Sequence, residues 1–187
     1  MNSLLLQWSS INKNDRKKFP LRDELKASQI PIIFLPEIVS IHLLAELQQI
    51  FNKLKIVAVK KGFVDKDRFN RACWEDESSI SKLQLKMLQV AERYFKVKLE
   101  PTYHYLAMYL KDSDCPIHTD REECEYTIAI NIQQNGIWPL YVEGKEYLLN
   151  PGNALLYSGK HHIHWREASE YPGRLDMLLL FYREATQ

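Results

Sequence analysis

His118-Thr119-Asp120, His164 and Arg174 are the residues of this chain whose types and order can do chemistry. An imidazole and a carboxylate two residues apart on an extended strand point to the same side. A second imidazole from a distant strand would complete three ligands on one face of an octahedral metal and leave three positions open. Two histidines and one carboxylate in that arrangement suit non-haem Fe(II), whose free positions can hold a chelating cosubstrate together with dioxygen. A bare His-x-Asp is common by chance, and Asp120 taken alone reads equally well as a turn residue capping backbone amides. Order and charge give the motif its weight. Ten residues beyond His164, the planar guanidinium of Arg174 can take the far end of a dicarboxylate in a bidentate fork.

The residues alone leave the second imidazole open. In His161-His162-Ile163-His164, a strand would place His162 and His164 on one face and turn His161 away, so either of the two can reach a metal. His42, within a helical pattern, and His104, on a strand before the motif, read as structural. Arg174 precedes the apolar run Leu175 to Tyr182, where a cation is expensive without a buried anionic partner. A cosubstrate carboxylate would answer that need. Trp138 and Tyr157 read as core residues. Thr127 and Asn131 would line a pocket only if their strand turns them inward.

The stretch from Tyr109 to Tyr182 carries His118-Thr-Asp120, Cys124-Glu-Tyr-Thr127, Trp138-Pro-Leu, Pro151-Gly152-Asn-Ala-Leu-Leu-Tyr157 and His164-Trp165-Arg166. In these it resembles the Fe(II)/2-oxoglutarate-dependent dioxygenases, and within them the bacterial hydroxylases near the prolyl-hydroxylase branch. The resemblance implies that His118, Asp120 and His164 bind iron and that Arg174 binds the C5 carboxylate of 2-oxoglutarate. It makes Tyr109, nine residues before the first ligand, a cosubstrate contact. It also chooses His164 over His162 and leaves His162 beside the metal shell, facing substrate or simply polar. Dioxygen would be the third reactant, with succinate and carbon dioxide as coproducts. The carboxylate ligand Asp120 implies hydroxylation, since halogenating relatives put a small residue there. One stretch departs from the pattern: Lys111-Asp-Ser-Asp-Cys-Pro-Ile117 stands where relatives usually carry a glycine, so the loop at the metal's mouth should differ.

The elements that must position these residues are legible from apolar spacing. Leu43, Leu44, Leu47, Ile50, Phe51 and Leu54 follow helical spacing, as do Ile80, Leu83, Met87, Ala91 and Phe95. The first helix would begin after Pro36 and the second after Asp76 or Ser78. Beyond Pro101 the pattern becomes strand-like, over 103–110, 126–132, 140–142, 147–149, 154–157 and 175–181. Glu143-Gly144-Lys145 and Asn150-Pro151-Gly152 supply tight turns. Short strands joined by tight turns give a sandwich or jelly roll. The expected fold is therefore α+β: a double-stranded β-helix, jelly-roll or cupin-like, buttressed on one sheet by N-terminal helices. Residues 1–28 read as a lead-in or an arm covering the site. Residues 29–187 read as one domain, with a helical part over 29–100 and a β-core over 101–187. There is no internal repeat and no low-complexity tract.

Composition sets the outer bounds. At 187 residues the chain can bury a substantial core but is short for two. A formal net charge of +1 gives no overall pull toward nucleic acid or membrane. The apolar runs at 30–35 and 177–182 fall far below the roughly 20 residues that cross a bilayer, and Leu4-Leu5-Leu6 lacks the basic flank of a secretory leader. Three cysteines without a Cys-x-x-Cys pair fit a reducing compartment, and the expected location is cytoplasmic. The substrate class left open is an amino acid, a peptide or a small metabolite. Asp112, Asp114, Glu122 and Glu123 would favour a cationic substrate if they border the site, although such a group usually marks a solvated loop. The basic-leaning run Lys53, Lys55, Lys60, Lys61, Lys66, Arg68 and Arg71 would favour nucleic acid if it did, but Asp65 and Asp67 interrupt it. A nucleic-acid-directed oxygenase therefore ranks below an amino-acid or peptide hydroxylase. The rival from another class is a non-catalytic metal or small-ligand binding module on the same scaffold. Oligomeric state is undetermined.

Overall fold

The computed structural model describes residues 19, 21–61, 71–111, 113–168 and 173–186, with the side chains of 57–61 excluded. Two antiparallel sheets face each other. The larger has six strands: β1 (Ile33–Leu35), β2 (Arg71–Glu75), β3 (Leu99–Tyr109), β5 (Tyr126–Gln134), β8 (Ala154–Tyr157) and β10 (Leu175–Glu184). They lie in the order β1-β8-β5-β10-β3-β2. The smaller contains β4 (Cys115–His118), β6 (Leu140–Val142), β7 (Lys145–Tyr147) and β9 (His164–Arg166), ordered β4-β9-β6-β7. Apart from the β6–β7 hairpin, strands from β3 onward alternate between sheets, so each sheet interleaves strands far apart in sequence. That is the double-stranded β-helix.

Period-two alternation divides each long strand between two cores. On β5, Tyr126, Ile128, Ile130 and Ile132 face outward to the helices, while Ala129 faces the opposing sheet. On β10, Leu178, Leu180 and Tyr182 face the helices, whereas Leu175 and Met177 join the inter-sheet core. The outer face is covered by α2 (Ile41–Lys61) and α3 (Ser81–Phe95), which follow a short α1 (Glu24–Gln29). Helix α3 buries Leu83, Gln84, Met87, Ala91 and Phe95, a stripe at helical spacing. Its one buried polar residue is satisfied: the Gln84 amide donates to the carbonyls of Tyr103 at 2.8 Å and Phe181 at 3.1 Å. Helix α2 contributes Leu47 and Phe51 to the same core. Both helices buttress one sheet, as their spacing predicts.

The differences from the expected boundaries have local causes. Helix α2 starts at Ile41 rather than just after Pro36, because Ser40 accepts from the Leu43 backbone N–H at 3.3 Å and serves as the cap. The hairpin at Glu143-Gly144 has positive φ at both turn residues, 50° and 76°. Such a two-residue turn pairs Val142 with Lys145, so β7 begins at once and ends at Tyr147 instead of running over 147–149. Strands β1 and β2 interrupt the region expected to be helical, and Arg71, read as part of a basic surface run, lies buried on β2. Among the described residues no helix is long and apolar enough to cross a membrane.

Candidate metal centre and cavity

His118 ends β4 and His164 opens β9, and the antiparallel register sets the two directly opposite each other. Their rings lie 4.2 Å apart between centroids. Asp120, two residues past His118, brings its carboxylate between them. Its Oδ1 is 3.3 Å from His118 Nε2 and its Oδ2 3.6 Å from His164 Nε2. One ligand atom from each of the three residues falls within a 4.8 Å span. The far ring nitrogens are accounted for: His118 Nδ1 lies 2.8 Å from the Pro116 carbonyl and His164 Nδ1 2.9 Å from that of His162. A carbonyl can only accept, so each Nδ1 carries a proton and each Nε2, the nitrogen a metal would take, faces the shared centre. Burial pushes Asp120 toward the neutral form, but His164 and His118 outweigh it and hold the acid well below the usual carboxylate range. The donor set and the direction of the two ring nitrogens fit a divalent metal with an open face.

Gly159 makes that approach possible. Its carbonyl accepts from the Asp120 backbone N–H at 2.8 Å. A Cβ at this position would collide with Asp120 Oδ2 and sit 2.9 Å from both the Cys124 carbonyl and Thr127 Oγ1. Only glycine lets the chain pass beneath the carboxylate.

The triad stands at the wall of a cavity of about 220 Å3 between the two sheets. Its floor is buried and includes Tyr109, Cys115, Ala129, Leu140, Tyr157 and Arg166; Glu75 and Arg121 form an exposed rim beside Tyr103. Tyr109 packs edge-on against Trp138 at 5.7 Å, and its hydroxyl accepts from Arg71 Nη1 at 2.5 Å. Burial raises the Tyr109 phenol, Arg71 opposes this, and the net is a pKa pushed up to about 12, so the group stays protonated. Tyr157 meets the edge of the His164 ring at 5.1 Å and is likewise driven upward by burial.

Of the residues singled out from sequence, the structure brings His118, Asp120, His164 and Tyr109 to one cavity. It does not bring Arg174 there. That side chain lies on the helix-facing side of β10, where Nε and Nη2 grip the Asp176 carboxylate at 2.8 and 2.5 Å and Nη1 reaches Asn52 Oδ1 at 2.9 Å. The buried anion that Arg174 needs is supplied by the protein. Two other arginines, Arg71 of the basic-leaning run and Arg166 of the His164-Trp165-Arg166 motif, line the cavity instead. Thr127 and Asn131 share the inward parity of Ala129, but neither lines the cavity. His162 is consumed by structure, with Nδ1 accepting from the Ser158 backbone N–H at 3.1 Å and Nε2 donating to the Ala27 carbonyl at 3.0 Å. His161 Nδ1 accepts from the Asp23 N–H, and its carbonyl accepts from Arg22. The described part of the expected arm is thus tied to the turn before β9. His104 is held by Gln84 and the Glu77 carbonyl, and His42 is exposed on α2. Glu122 pairs with Lys160 on the surface, while Asp112 lies outside the described residues, as do Lys66 and Arg68 of the basic run.

No protein-family model matches the sequence, and no curated protein does. Solved structures do. The chain covers 82% of itself and 96% of the viral collagen prolyl hydroxylase from Paramecium Bursaria Chlorella virus-1, a 2-oxoglutarate complex, at 13% identity and TM-score 0.60. It covers 86% of itself and 96% of a Pseudomonas putida prolyl-4-hydroxylase at 12% identity and TM-score 0.64. For HygX from Streptomyces hygroscopicus, with nickel, 2-oxoglutarate and hygromycin B bound, both shares are 86%, at 12% identity and TM-score 0.66. The likeness is one of fold, and the fold is that of the 2-oxoglutarate-dependent oxygenases.

Proposed function

We propose that this protein is an Fe(II)/2-oxoglutarate-dependent dioxygenase that hydroxylates a small molecule or peptide. The observation that carries the reading is the convergence of His118 Nε2, Asp120 and His164 Nε2 at the wall of a cavity closed on one side and open on the other. Iron bound there would supply oxygen activation coupled to decarboxylation of the oxo acid to succinate, with oxidation of a substrate C–H bond. The protein's own part is positioning. Carbonyls of Pro116 and His162 fix the ligand tautomers, and Gly159 holds the carboxylate in place. The apolar and aromatic floor around Tyr109 and Tyr157 excludes water from the reacting face. Tyr109, still a phenol, shapes the cosubstrate's wall. A substrate would enter over the rim formed by Glu75, Tyr103 and Arg121, where Arg121 lies 4.5 Å above the Tyr103 ring and is paired with Glu75 at 3.3 Å.

Two measurements test this. Anaerobic titration with Fe(II) and 2-oxoglutarate should give the weak visible charge-transfer band of their chelate. Aerobic incubation should release succinate. His118→Ala and Asp120→Ala should lose both signals. Iron binding without the band in the wild-type protein would favour a binding module and sink the enzyme reading.

A further inference from the structure

The cavity contains a buried guanidinium that, among the described residues, no carboxylate pairs with. Arg166 is 3% exposed and sits on β9 two residues after His164, on the same strand face. Nη1 donates to the Trp138 carbonyl at 2.7 Å and Nη2 contacts Met177 Sδ at 3.5 Å. No carboxylate pairs with it among the described residues, and the Tyr109 ring lies 5.7 Å from its guanidinium carbon. Burial of a charge without a carboxylate partner is costly unless a ligand supplies one. Arg174 is the reverse case, a guanidinium already satisfied by Asp176 and Asn52 on the opposite face of its sheet.

We propose that Arg166, rather than Arg174, anchors the far carboxylate of the dicarboxylate cosubstrate. This deepens the dioxygenase reading and rests on it. Two residues along a strand span about 6.6 Å, a distance suited to a five-carbon dicarboxylate that chelates a metal at His164 with its keto-acid end. Arg166 still has donors to give, since its planar fork carries five N–H groups and the protein uses few of them. Arg71 is the competing cation. Its guanidinium carbon is 5.2 Å from the Tyr109 ring and its Nη1 donates to the Tyr109 hydroxyl, and it belongs to edge strand β2 rather than to the strand that carries a metal ligand.

The test compares 2-oxoglutarate with 2-oxopentanoate, which keeps the chelating end and lacks the far carboxylate. Each is titrated anaerobically into Fe(II)-loaded protein, reading the charge-transfer band, with Fe(II) affinity measured separately for every variant. Wild type should prefer 2-oxoglutarate by about 100-fold, the scale of a buried charge-assisted pair. Arg166→Gln should bring the ratio close to one while Fe(II) affinity stays intact, Arg166→Lys should retain part of it, and Arg174→Gln should leave it unchanged. Loss of the preference in Arg174→Gln or Arg71→Gln, with Arg166→Gln or Arg166→Lys behaving as wild type, would overturn the assignment. If Arg166→Gln does not fold, Arg166→Lys and Arg174→Gln still decide. Wild-type protein that binds Fe(II) but neither keto acid would refute the dioxygenase reading itself, an outcome distinct from a misplaced anchor.

Discussion

Replacing Gly159 by alanine tests the geometry of the metal centre without touching a ligand. The new Cβ would meet three atoms: Asp120 Oδ2 in outright collision, the Cys124 carbonyl at 2.9 Å and Thr127 Oγ1 at 2.9 Å. These neighbours do not yield equally. The Cys124 carbonyl is backbone and already accepts from the Lys160 N–H at 3.1 Å. The Thr127 hydroxyl is buried and, among the described residues, has no hydrogen-bond partner, so no bond holds its oxygen in place. The turn cannot simply separate from Asp120, because the Asp120 N–H is bonded to the Gly159 carbonyl at 2.8 Å. Strain therefore concentrates on the carboxylate, which must swing off the axis between the two imidazoles.

The cost of overpacking is about 1–3 kcal/mol, and alanine returns about 0.4–1 kcal/mol by restricting the unfolded chain. A net loss of roughly 1–2 kcal/mol corresponds to a fall in Tm of about 2–8 °C for a chain of this size. Metal binding should suffer more specifically. Disturbing a ligand's support typically costs about 10–100-fold in affinity, equivalent to roughly 1.4–2.8 kcal/mol. Metal-free Tm by thermal denaturation and Fe(II) or Co(II) affinity by titration read the two effects separately. Gly159→Ala protein that binds metal within twofold of wild type would show that Asp120 is not held where this argument requires.

His164→Ala should abolish metal binding, while His162→Ala should keep it and lose about 1–3 kcal/mol of stability, because Ser158 and Ala27 are left with unpaired backbone groups; equilibrium denaturation with parallel metal titration distinguishes the two, and the opposite pattern would exchange their roles. Asp176→Ala leaves the buried Arg174 guanidinium without its carboxylate and should destabilise the protein by about 3–5 kcal/mol, measured by urea unfolding. Glu125, facing His161 Nε2 at 3.8 Å, bonded to Lys26 and backed by the Glu184 N–H, has its pKa lowered from 4.5 to about 2. A depressed acid contributes stability that is full above its unfolded pKa and is lost as pH falls through the folded one, so wild type should weaken between about pH 4.5 and 2. Glu125→Gln should flatten that part of the stability profile, and an unchanged slope would contradict the assignment.

How much of the site could be read from the chain follows from one rule applied unevenly. His118-x-Asp120 is legible because a strand places residues i and i+2 on the same face. The same rule reads Arg174-Leu-Asp176 as a guanidinium beside its own carboxylate, which removes the need for an external anion. It also reads His164-Trp-Arg166 as a cation on the metal's face of β9. Spacing along the chain favoured Arg174, but spacing does not tell which face of β10 a residue occupies. That parity is set by pairing with β3 and β5, and β10 is bulged against β5 between Asp176 and Met177. Strands β1, β2 and β4 are hard to see because each has only three to five residues and lacks the adjoining Gly turn that marks β6 and β8. Gly159 carried no local signal either, since its need for a bare Cα comes from Asp120, 39 positions away in sequence. Chemistry confined to one strand could thus be read in advance, and chemistry decided between strands could not. The two-residue period still puts a cation, Arg166, on the strand face that carries His164, which is where a keto acid bound through the metal would present its second charge.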